Sequence, residues 1–276
     1  MENFLKIFRR FSPFLILLVP LIILLRSPSG FPYPSNNSII SDITITHFPN
    51  TYFLKSQLLT NKVLPFWSPS ILSGYPFVAN PLSGIWYAPG WLAMIFPLPL
   101  GFNLIAALHL LMGGLGMYLF LRGEGLGSKA SFFGALVFEG MPKIFAHYGA
   151  GHLTLIYALS WTPWLLWSVK RSLRKRNGVD IFSVIFFSMI AFADPRWILY
   201  AGLLWIGYLF VSHHKIWMDN VKGWQKPGIL SIKKYMSDLG TKLLGLASQL
   251  LLIILITSPM LLPLMEYVNL STRSQL

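Results

Sequence analysis

The sequence predicts an all-α protein, a polytopic bundle of transmembrane helices in a single domain over residues 1–276. Two observations lead to this prediction. Hydrophobic residues make up 54% of the chain and charged residues only 11%, against about 25% charged in ordinary soluble domains. Several apolar runs also approach the roughly 20 residues that a helix needs to cross a bilayer. This composition excludes a soluble globular enzyme, a disordered chain and a fibrous repeat.

Seven apolar runs are candidates for membrane crossings, and an eighth is not. The eighth, Gly84–Leu98, is interrupted by Pro89 and Pro97 and is rich in Trp and Tyr, which favours an interfacial helix over a crossing. With the N-terminus inside, residues 26–101 form a long first outer loop and residues 213–242 form a basic inner loop. The seven runs are Phe11–Leu25, Phe102–Leu121, Ala130–Ala146, Leu153–Val169, Ile181–Ala193, Trp197–Val211 and Leu243–Leu264.

The distribution of basic residues supports this orientation. Of the 22 Lys and Arg residues, 16 fall on the predicted inner side and 6 on the outer side, while Asp and Glu total only 9. The positive-inside rule explains this excess without a nucleic-acid partner. We therefore predict a multi-pass protein of the cell membrane that has a cytoplasmic N-terminus and contacts membrane lipids. The chain contains no Cys, which excludes disulfides and Cys-ligated metals.

Side chains suited to chemistry collect on the predicted outer side, and each also has a structural explanation. Asp42 can cap a helix, histidines can lie at helix ends, and Asp194 with Arg196 can form an ion pair within one turn. Trp67 and Tyr75 belong to the Pro- and Gly-rich loop over residues 61–81, where aromatic rings either stack on a ligand or join the interfacial belt. The candidate residues on this side are Asp42, His47, Trp67, Tyr75, His147, His152, Asp194 and Arg196.

Two ionisable residues fall inside predicted crossings. His109 lies in the run Phe102–Leu121, and Glu139 lies in the run Ala130–Ala146. Ionisable groups within a membrane are costly unless they are paired or wet. We expect these two side chains to pair with each other inside the bundle.

The order of the outer elements resembles that of the YfhO-type bacterial membrane proteins, which are grouped with the GT-C glycosyltransferases. Members of that family are usually longer, so this chain looks like the N-terminal part of a larger protein, and a partner could supply the missing C-terminal half. The residues that carry the resemblance are Asp42 with Phe48-Pro49, Leu64-Pro65-Phe66-Trp67-Ser68-Pro69, Gly74-Tyr75-Pro76, Trp86-Tyr87-Ala88-Pro89, His109, Gly151-His152, Pro163-Trp164, Asp194-Pro195-Arg196 and Leu261–Arg273.

The resemblance implies a GT-C-like fold and transfer of a sugar from a polyprenyl-phosphate donor to an acceptor of the cell envelope outside the membrane. Asp42 matches the family's catalytic acid, and as a hypothesis it acts as general base. Arg196 with His147 or His152 would bind the lipid phosphate, and the remaining candidates, His47, Trp67, Tyr75 and Asp194, would complete the substrate site. The family often pairs two acids, whereas Ser41 and Ile43 flank Asp42 here, so dependence on a divalent metal stays open.

A non-catalytic protein is the alternative. The same topology would suit a transporter of lipid-linked sugar or polysaccharide, or a scaffold for envelope assembly. A transporter typically shows inverted repeats and broken helices near the midplane of the membrane. The sequence shows no internal repeat, although Glu139 and His109 at mid-depth keep a transport route open.

Overall fold

A computed structural model describes residues 41–71, 73–221 and 229–270. Within these ranges the chain forms eight α-helices and no β-strand, which confirms the all-α class. The first predicted crossing, Phe11–Leu25, lies outside the described residues. The helices are α1 Phe48–Ser56, α2 Leu98–Gly123, α3 Ser128–Glu139, α4 Pro142–Ala150, α5 Leu153–Arg174, α6 Ile181–Ala193, α7 Ile198–Val221 and α8 Ile229–Asn269.

Shorter helical segments extend or connect these helices. The π-helical segments Ile43–His47 and Gln57–Asn61 flank α1 directly, and 3₁₀ helices cover Phe77–Ala79, Ala88–Ile95 and Pro195–Trp197. The Ala88–Ile95 helix lies within the run predicted to form an interfacial helix. Its proline falls in the first turn, where no intrahelical partner for a backbone N–H is required.

α5 is the central helix and packs against α2, α6 and α7. Two glycines of α2 allow the close approach of α5. A Cβ atom on Gly113 would lie 3.1 Å from the Cα atom of Ser160, and one on Gly116 would lie 2.5 Å from Nε1 of Trp164. The Trp164 indole fills this space and donates a hydrogen bond of 2.9 Å to the carbonyl oxygen of Met112.

Two of the helices have the length and apolar composition of membrane spans, Leu100–Gly123 within α2 and Ile232–Asn269 within α8. The 24 residues of the first extend about 36 Å, enough for a hydrocarbon core about 30 Å thick. α6 is apolar but has only 13 residues. The described residues thus indicate association with a membrane, and the prediction of seven crossings is not supported.

The predicted crossing Ala130–Ala146 is wrong, because two short helices occupy this run. α3 ends at Glu139, and α4 begins at Pro142. Proline lacks the N–H that would continue the helical hydrogen bonds and favours an extended conformation in the residue before it. Met141 has that conformation, with φ of −61° and ψ of 120°. The apolar composition of the run conceals the break.

The predicted basic loop over residues 213–242 is largely helical. α7 continues to Val221 and α8 begins at Ile229, while residues 222–228 lie outside the described part of the chain. The two helices contact each other through His213 and Asp238, whose Nε2 and Oδ2 atoms are 2.9 Å apart. Lys and His are compatible with helices, so loss of apolar character does not mark the helix ends.

The expected pairing of His109 with Glu139 is also wrong. The imidazole of His109 bonds instead to the hydroxyl of Tyr87 at 2.5 Å and to the carbonyl oxygen of Ile105 at 2.8 Å. The Glu139 carboxylate lies against Gly114, and neither oxygen has a hydrogen-bond partner among the described residues. Gly114 follows His109 by five residues, nearly one and a half helical turns, which places the two groups on different parts of α2.

Charged side chains concentrate at the two ends of α5. The 22 residues of α5 extend about 33 Å between these ends. We name the clusters by their basic residues. The histidine end contains Asp42, His47, His147, His152, Asp194 and Arg196, and the lysine end contains Glu124, Lys170, Arg171, Lys175 and Asp180.

Candidate functional site

A left-handed turn at Gly151 creates the histidine end. Gly151 follows the last residue of α4 with a φ of +90°, a conformation that glycine adopts at little cost. A Cβ atom at this position would lie 2.5 Å from the backbone nitrogen of Ile43 and 2.7 Å from that of Asp42. The absent side chain therefore lets the turn between α4 and α5 touch the start of the Asp42 segment, which brings His152 next to Asp42.

Asp42, His152 and His147 form a chain of three ionisable side chains. The Asp42 Oδ2 atom is 3.6 Å from Nε2 of His152, and these side chains are 41% and 34% exposed, respectively. The Nδ1 atoms of His152 and His147 are 3.0 Å apart. Partial burial lowers the pKa of His147, and the charges of His152 and Lys143 lower it further. Asp42 thus has a solvent-accessible carboxylate that faces the imidazole of His152, and His152 in turn contacts the imidazole of His147.

Asp194 and Arg196 form an ion pair within one turn, which is the structural role that the sequence offered for these two residues. Asp194 is buried and accepts hydrogen bonds from Nε of Arg196 at 2.9 Å, from Nη2 at 2.7 Å and from its backbone N–H at 3.0 Å. Thr154 donates a further bond of 3.0 Å to the Asp194 carboxylate. Hydrogen bonding to Asp194 raises the pKa of Arg196. Asp194 therefore positions Arg196.

His47 is the buried member of the cluster. Its side chain faces inward from the π-helical turn before α1, and the residue is 6% exposed. Burial lowers the pKa of His47 to about 4, and Asp42 and Asp194 oppose this shift, whereas Arg196 and His152 add to it. His47 is therefore neutral at physiological pH, and it responds to the charges of four other members of the site.

A small cavity that opens to solvent adjoins these residues. His47, Thr51 and Thr154 contribute polar atoms to its wall, and the rest is mainly aromatic and aliphatic. The larger apolar residues of the wall are Leu54, Tyr87, Trp91, Met94, Phe102, Leu153, Tyr157 and Phe192. An apolar wall with a few polar groups is typical of small-molecule sites in proteins.

A buried hydrogen-bond chain supports one wall of the cavity. The Trp161 indole donates to the Tyr87 hydroxyl at 2.8 Å, and this hydroxyl lies 2.5 Å from Nε2 of His109. Nδ1 of His109 faces the carbonyl oxygen of Ile105 at 2.8 Å. The Tyr157 ring stacks on Tyr87 with centroids 5.5 Å apart. The chain fixes Tyr87 and Tyr157 where they line the cavity.

Trp67 and Tyr75 do not join the histidine end. The Tyr75 hydroxyl donates to Oδ1 of Asn50 at 3.1 Å, and its ring packs with Phe77 in a second hydrophobic cluster. The Trp67 indole is exposed and lies over Gly74, where a Cβ atom would come within 2.5 Å of it. Six of the eight candidate residues are therefore close together, and these two stabilise the loop.

The protein side chains of this cluster do not form a metal site. Among the residues that the structure describes, no group of three or more His, Cys, Asp and Glu side chains is arranged to hold a metal ion. Asp42 faces Nε2 of His152 while His147 faces its Nδ1, so the three groups do not converge on one point.

Two residues of the site were not predicted from the sequence. Thr154 bonds to Asp194 and lines the cavity, but a threonine in the first turn of an apolar helix is too common to be a signal. Tyr157 was not predicted because its ring lies on an apolar helix face, where an aromatic residue usually belongs to the core. Neither residue could be assigned without the packing of α5 against its neighbours.

Comparison with known proteins gives no relative. No protein-family model, no curated protein and no solved structure matches this chain.

Proposed function

We propose that the protein is a membrane glycosyltransferase, which passes a sugar from a polyprenyl-phosphate donor to an acceptor of the cell envelope on the extracytoplasmic side. The observation that supports this proposal most is the state of Asp42. Its carboxylate is 41% exposed, and its ion pair with His152 is long at 3.6 Å. A carboxylate with free acceptor positions can take a proton from a hydroxyl group within hydrogen-bond reach.

In the proposed reaction, Asp42 removes the proton from the acceptor hydroxyl as its oxygen attacks the anomeric carbon of the sugar. A new carbon–oxygen bond forms there, and the bond from that carbon to the lipid phosphate breaks. The phosphate leaves with the bonding electron pair. Arg196 supports its departure, because Asp194 engages Nε and Nη2 and leaves the donors on Nη1 for a phosphate oxygen.

The GT-C-like arrangement, with several passes and a cytoplasmic N-terminus, belongs to the same proposal. It requires the histidine end to face outward. Single cysteines test this orientation without background, because the chain has no Cys. We expect a membrane-impermeant thiol reagent on intact cells to label Ala150→Cys at the histidine end but not Arg176→Cys. Both residues are exposed, so a difference in labelling reports the side of the membrane on which each residue lies. Labelling of Arg176→Cys alone would contradict the orientation.

The Asp42→Asn variant tests the chemistry. Loss of a general base lowers rates by about 10²–10⁴-fold, so transfer of labelled sugar from polyprenyl phosphate in membranes should fall by that factor. Glu266→Gln is the matched control, because Glu266 is an exposed acid near the end of α8 and lies outside the cluster. Transfer by Asp42→Asn at the rate of the control would remove Asp42 from this role.

One observation favours transport of a lipid-linked sugar as a second candidate. Glu139 is buried on α3, and its carboxylate has no hydrogen-bond partner among the described residues. Buried ionisable groups in membrane proteins often mark substrate or proton pathways. A transporter would move the lipid-linked sugar across vesicles without forming a new glycosidic bond, and Glu139→Gln would slow that movement.

A further inference from the structure

The segment around α1 buries two polar and two apolar residues on one side and exposes large apolar residues on the other. The buried positions Ile43, His47, Asn50 and Leu54 recur at helical spacing and face the protein. On the opposite side, large apolar side chains are exposed at the protein surface. We call this side the α1 face, and its exposed fractions are Ile45 57%, Phe48 37%, Tyr52 63% and Leu59 56%.

Exposed apolar residues continue the α1 face in two directions. They follow the chain into the next loop and reach the start of α2. Single exposed apolar residues are normal, whereas many of them in one region are typical of an interaction surface. The continuing residues are Val63, Leu64, Phe66, Trp67 and Ile71 in the loop, and Ile95, Phe96, Leu100 and Leu108 toward and along α2.

The helix α1 contacts the chain close to the start of a candidate membrane span. Lys55 extends from α1 to the carbonyl oxygen of Phe96, with Nζ 3.5 Å away. Phe96 precedes by four residues the start of the candidate span at Leu100. Leu108 is exposed within that span, so exposed apolar side chains occur both on α1 and on the span whose start lies near Phe96.

The charges of this region suit lipid headgroups. No Asp or Glu occurs from Ile43 to Gly123, and the only Lys or Arg residues before Arg122 in this stretch are Lys55 and Lys62. A surface without negative charge, with aromatic and aliphatic groups and a few cations, is attracted to the boundary between headgroups and acyl chains, especially in anionic membranes.

We propose that the α1 face lies in the headgroup–acyl boundary of the leaflet that surrounds the Leu100 end of α2. In this position the apolar residues contact lipid, and the buried His47 and Asn50 face the protein. Asp42, at the start of the same helical segment, then sits at the surface of that leaflet. The proposal goes beyond the transferase reaction and does not depend on it, because lipid contact requires no turnover.

Spin labels on single cysteines test the proposal in the full chain. The protein would be reconstituted in vesicles of phosphatidylcholine and phosphatidylglycerol, with labels at Ile45→Cys, Phe48→Cys or Tyr52→Cys. Molecular oxygen concentrates in the bilayer, whereas a water-soluble nickel chelate stays outside it. We expect all three labels to collide more often with oxygen than with the nickel chelate. Leu108→Cys is the lipid-exposed control, and the exposed Lys129→Cys at the lysine end is the aqueous control.

Two results would overturn the proposal. If the nickel chelate reaches the α1 face as readily as it reaches Lys129→Cys, the face is in water. If neither reagent reaches the three labels, protein covers the face, either a second copy or another segment of this chain. Loss of transfer in Asp42→Asn leaves these collision rates unchanged, so failure of the lipid contact and failure of the proposed reaction are distinguishable.

Discussion

The carboxylates at the two ends of the bundle differ in burial and in hydrogen bonding. At the lysine end, Asp180 is fully buried and accepts bonds from Nε of Arg171 at 3.1 Å and from Nζ of Lys175 at 2.6 Å. At the histidine end, Asp42 is 41% exposed, and its contact with His152 is 3.6 Å. The protein uses the acceptor positions of Asp180 for its own structure and leaves those of Asp42 to solvent.

This difference separates structural acids from a candidate catalytic one even within one cluster. Asp194 belongs to the histidine end, but Arg196 and Thr154 occupy its carboxylate as completely as Arg171 and Lys175 occupy that of Asp180. Membership of a polar cluster is therefore weak evidence for a role in catalysis. The stronger evidence is a carboxylate that retains acceptor positions for a ligand.

The largest stability effect should come from protonation at the histidine end. Burial lowers the pKa of His47 to about 4 in the folded protein, whereas an unfolded histidine titrates near 6.5. Below pH 6.5, His47 is protonated in the unfolded chain but stays neutral in the folded protein. The free energy of unfolding therefore decreases as the pH falls from 6.5 toward 4. The shift corresponds to about 3 kcal/mol across this window.

The His47→Gln variant isolates this contribution. Between pH 6.5 and 4, the unfolding free energy in detergent should decrease in both proteins, and the decrease should be about 3 kcal/mol smaller in the variant than in the wild type. His214→Gln is the control, because His214 is exposed beyond the opposite end of the bundle. Parallel pH profiles for His47→Gln and the wild type would show that His47 is not the buried neutral group described above.

Neutralising one acid at each end should affect stability unequally. Asp180→Asn leaves Arg171 and Lys175 without their carboxylate and should cost about 1.5–3 kcal/mol, the range for hydrogen bonds to charged groups. Asp42→Asn removes a long and solvent-exposed contact and should change stability by less than about 0.5 kcal/mol. Thermal unfolding at neutral pH measures both, and equal costs would contradict the distinction between the two ends.

Two glycines with almost the same φ angle provide a matched pair. Gly151 at the histidine end has a φ of +90°, and Gly125 near the lysine end has a φ of +91°. An added Cβ meets the backbone of the Asp42 segment at Gly151 but has nothing within 4 Å at Gly125. Both alanine variants carry the same conformational strain, and Gly151→Ala should cost about 2 kcal/mol more because of the overpacking. Equal melting temperatures would show that the close approach is not needed.

The smallest difference should come from the histidine–carboxylate pairs. His213 is buried and lies 2.9 Å from Asp238, whereas His152 is one-third exposed and 3.6 Å from Asp42. His213→Gln should therefore cost about 1 kcal/mol, and His152→Gln less than about 0.5 kcal/mol. Denaturant titration of both variants measures these values, and the reverse order would mean that the contact of His152 with Asp42 is tighter than that of His213 with Asp238.

The sequence predicted helices well where apolar composition and helix ends coincide. The run Ile181–Ala193 is identical with α6, because Asp180 precedes it and Asp194 follows it. The prediction failed at Pro142, where an apolar run contains a break, and beyond Val211, where α7 continues into polar residues. Composition reports on the environment of a helix, whereas backbone hydrogen bonding decides where the helix ends.

The site was predicted in part for a related reason. The order of loops brought Asp42, His152 and Arg196 to one side, and the structure places them in one cluster. Trp67 and Tyr75 come from the same predicted side but contribute to the packing of the loop. The sequence does not distinguish an aromatic residue that binds a ligand from one that packs against a neighbour. Such a distinction needs distances between segments that are remote in the chain.

The hydrogen-bond chain below the cavity gives its wall a fixed direction. The Trp161 indole can only donate, and the Ile105 carbonyl can only accept. Between them, a neutral His109 must donate from Nδ1 and accept at Nε2, so the Tyr87 hydroxyl points its hydrogen toward the imidazole and its lone pairs elsewhere. The dipoles of this wall are consequently oriented before any ligand enters. A ligand that binds there encounters a surface whose electrostatic polarity requires no reorientation upon its arrival.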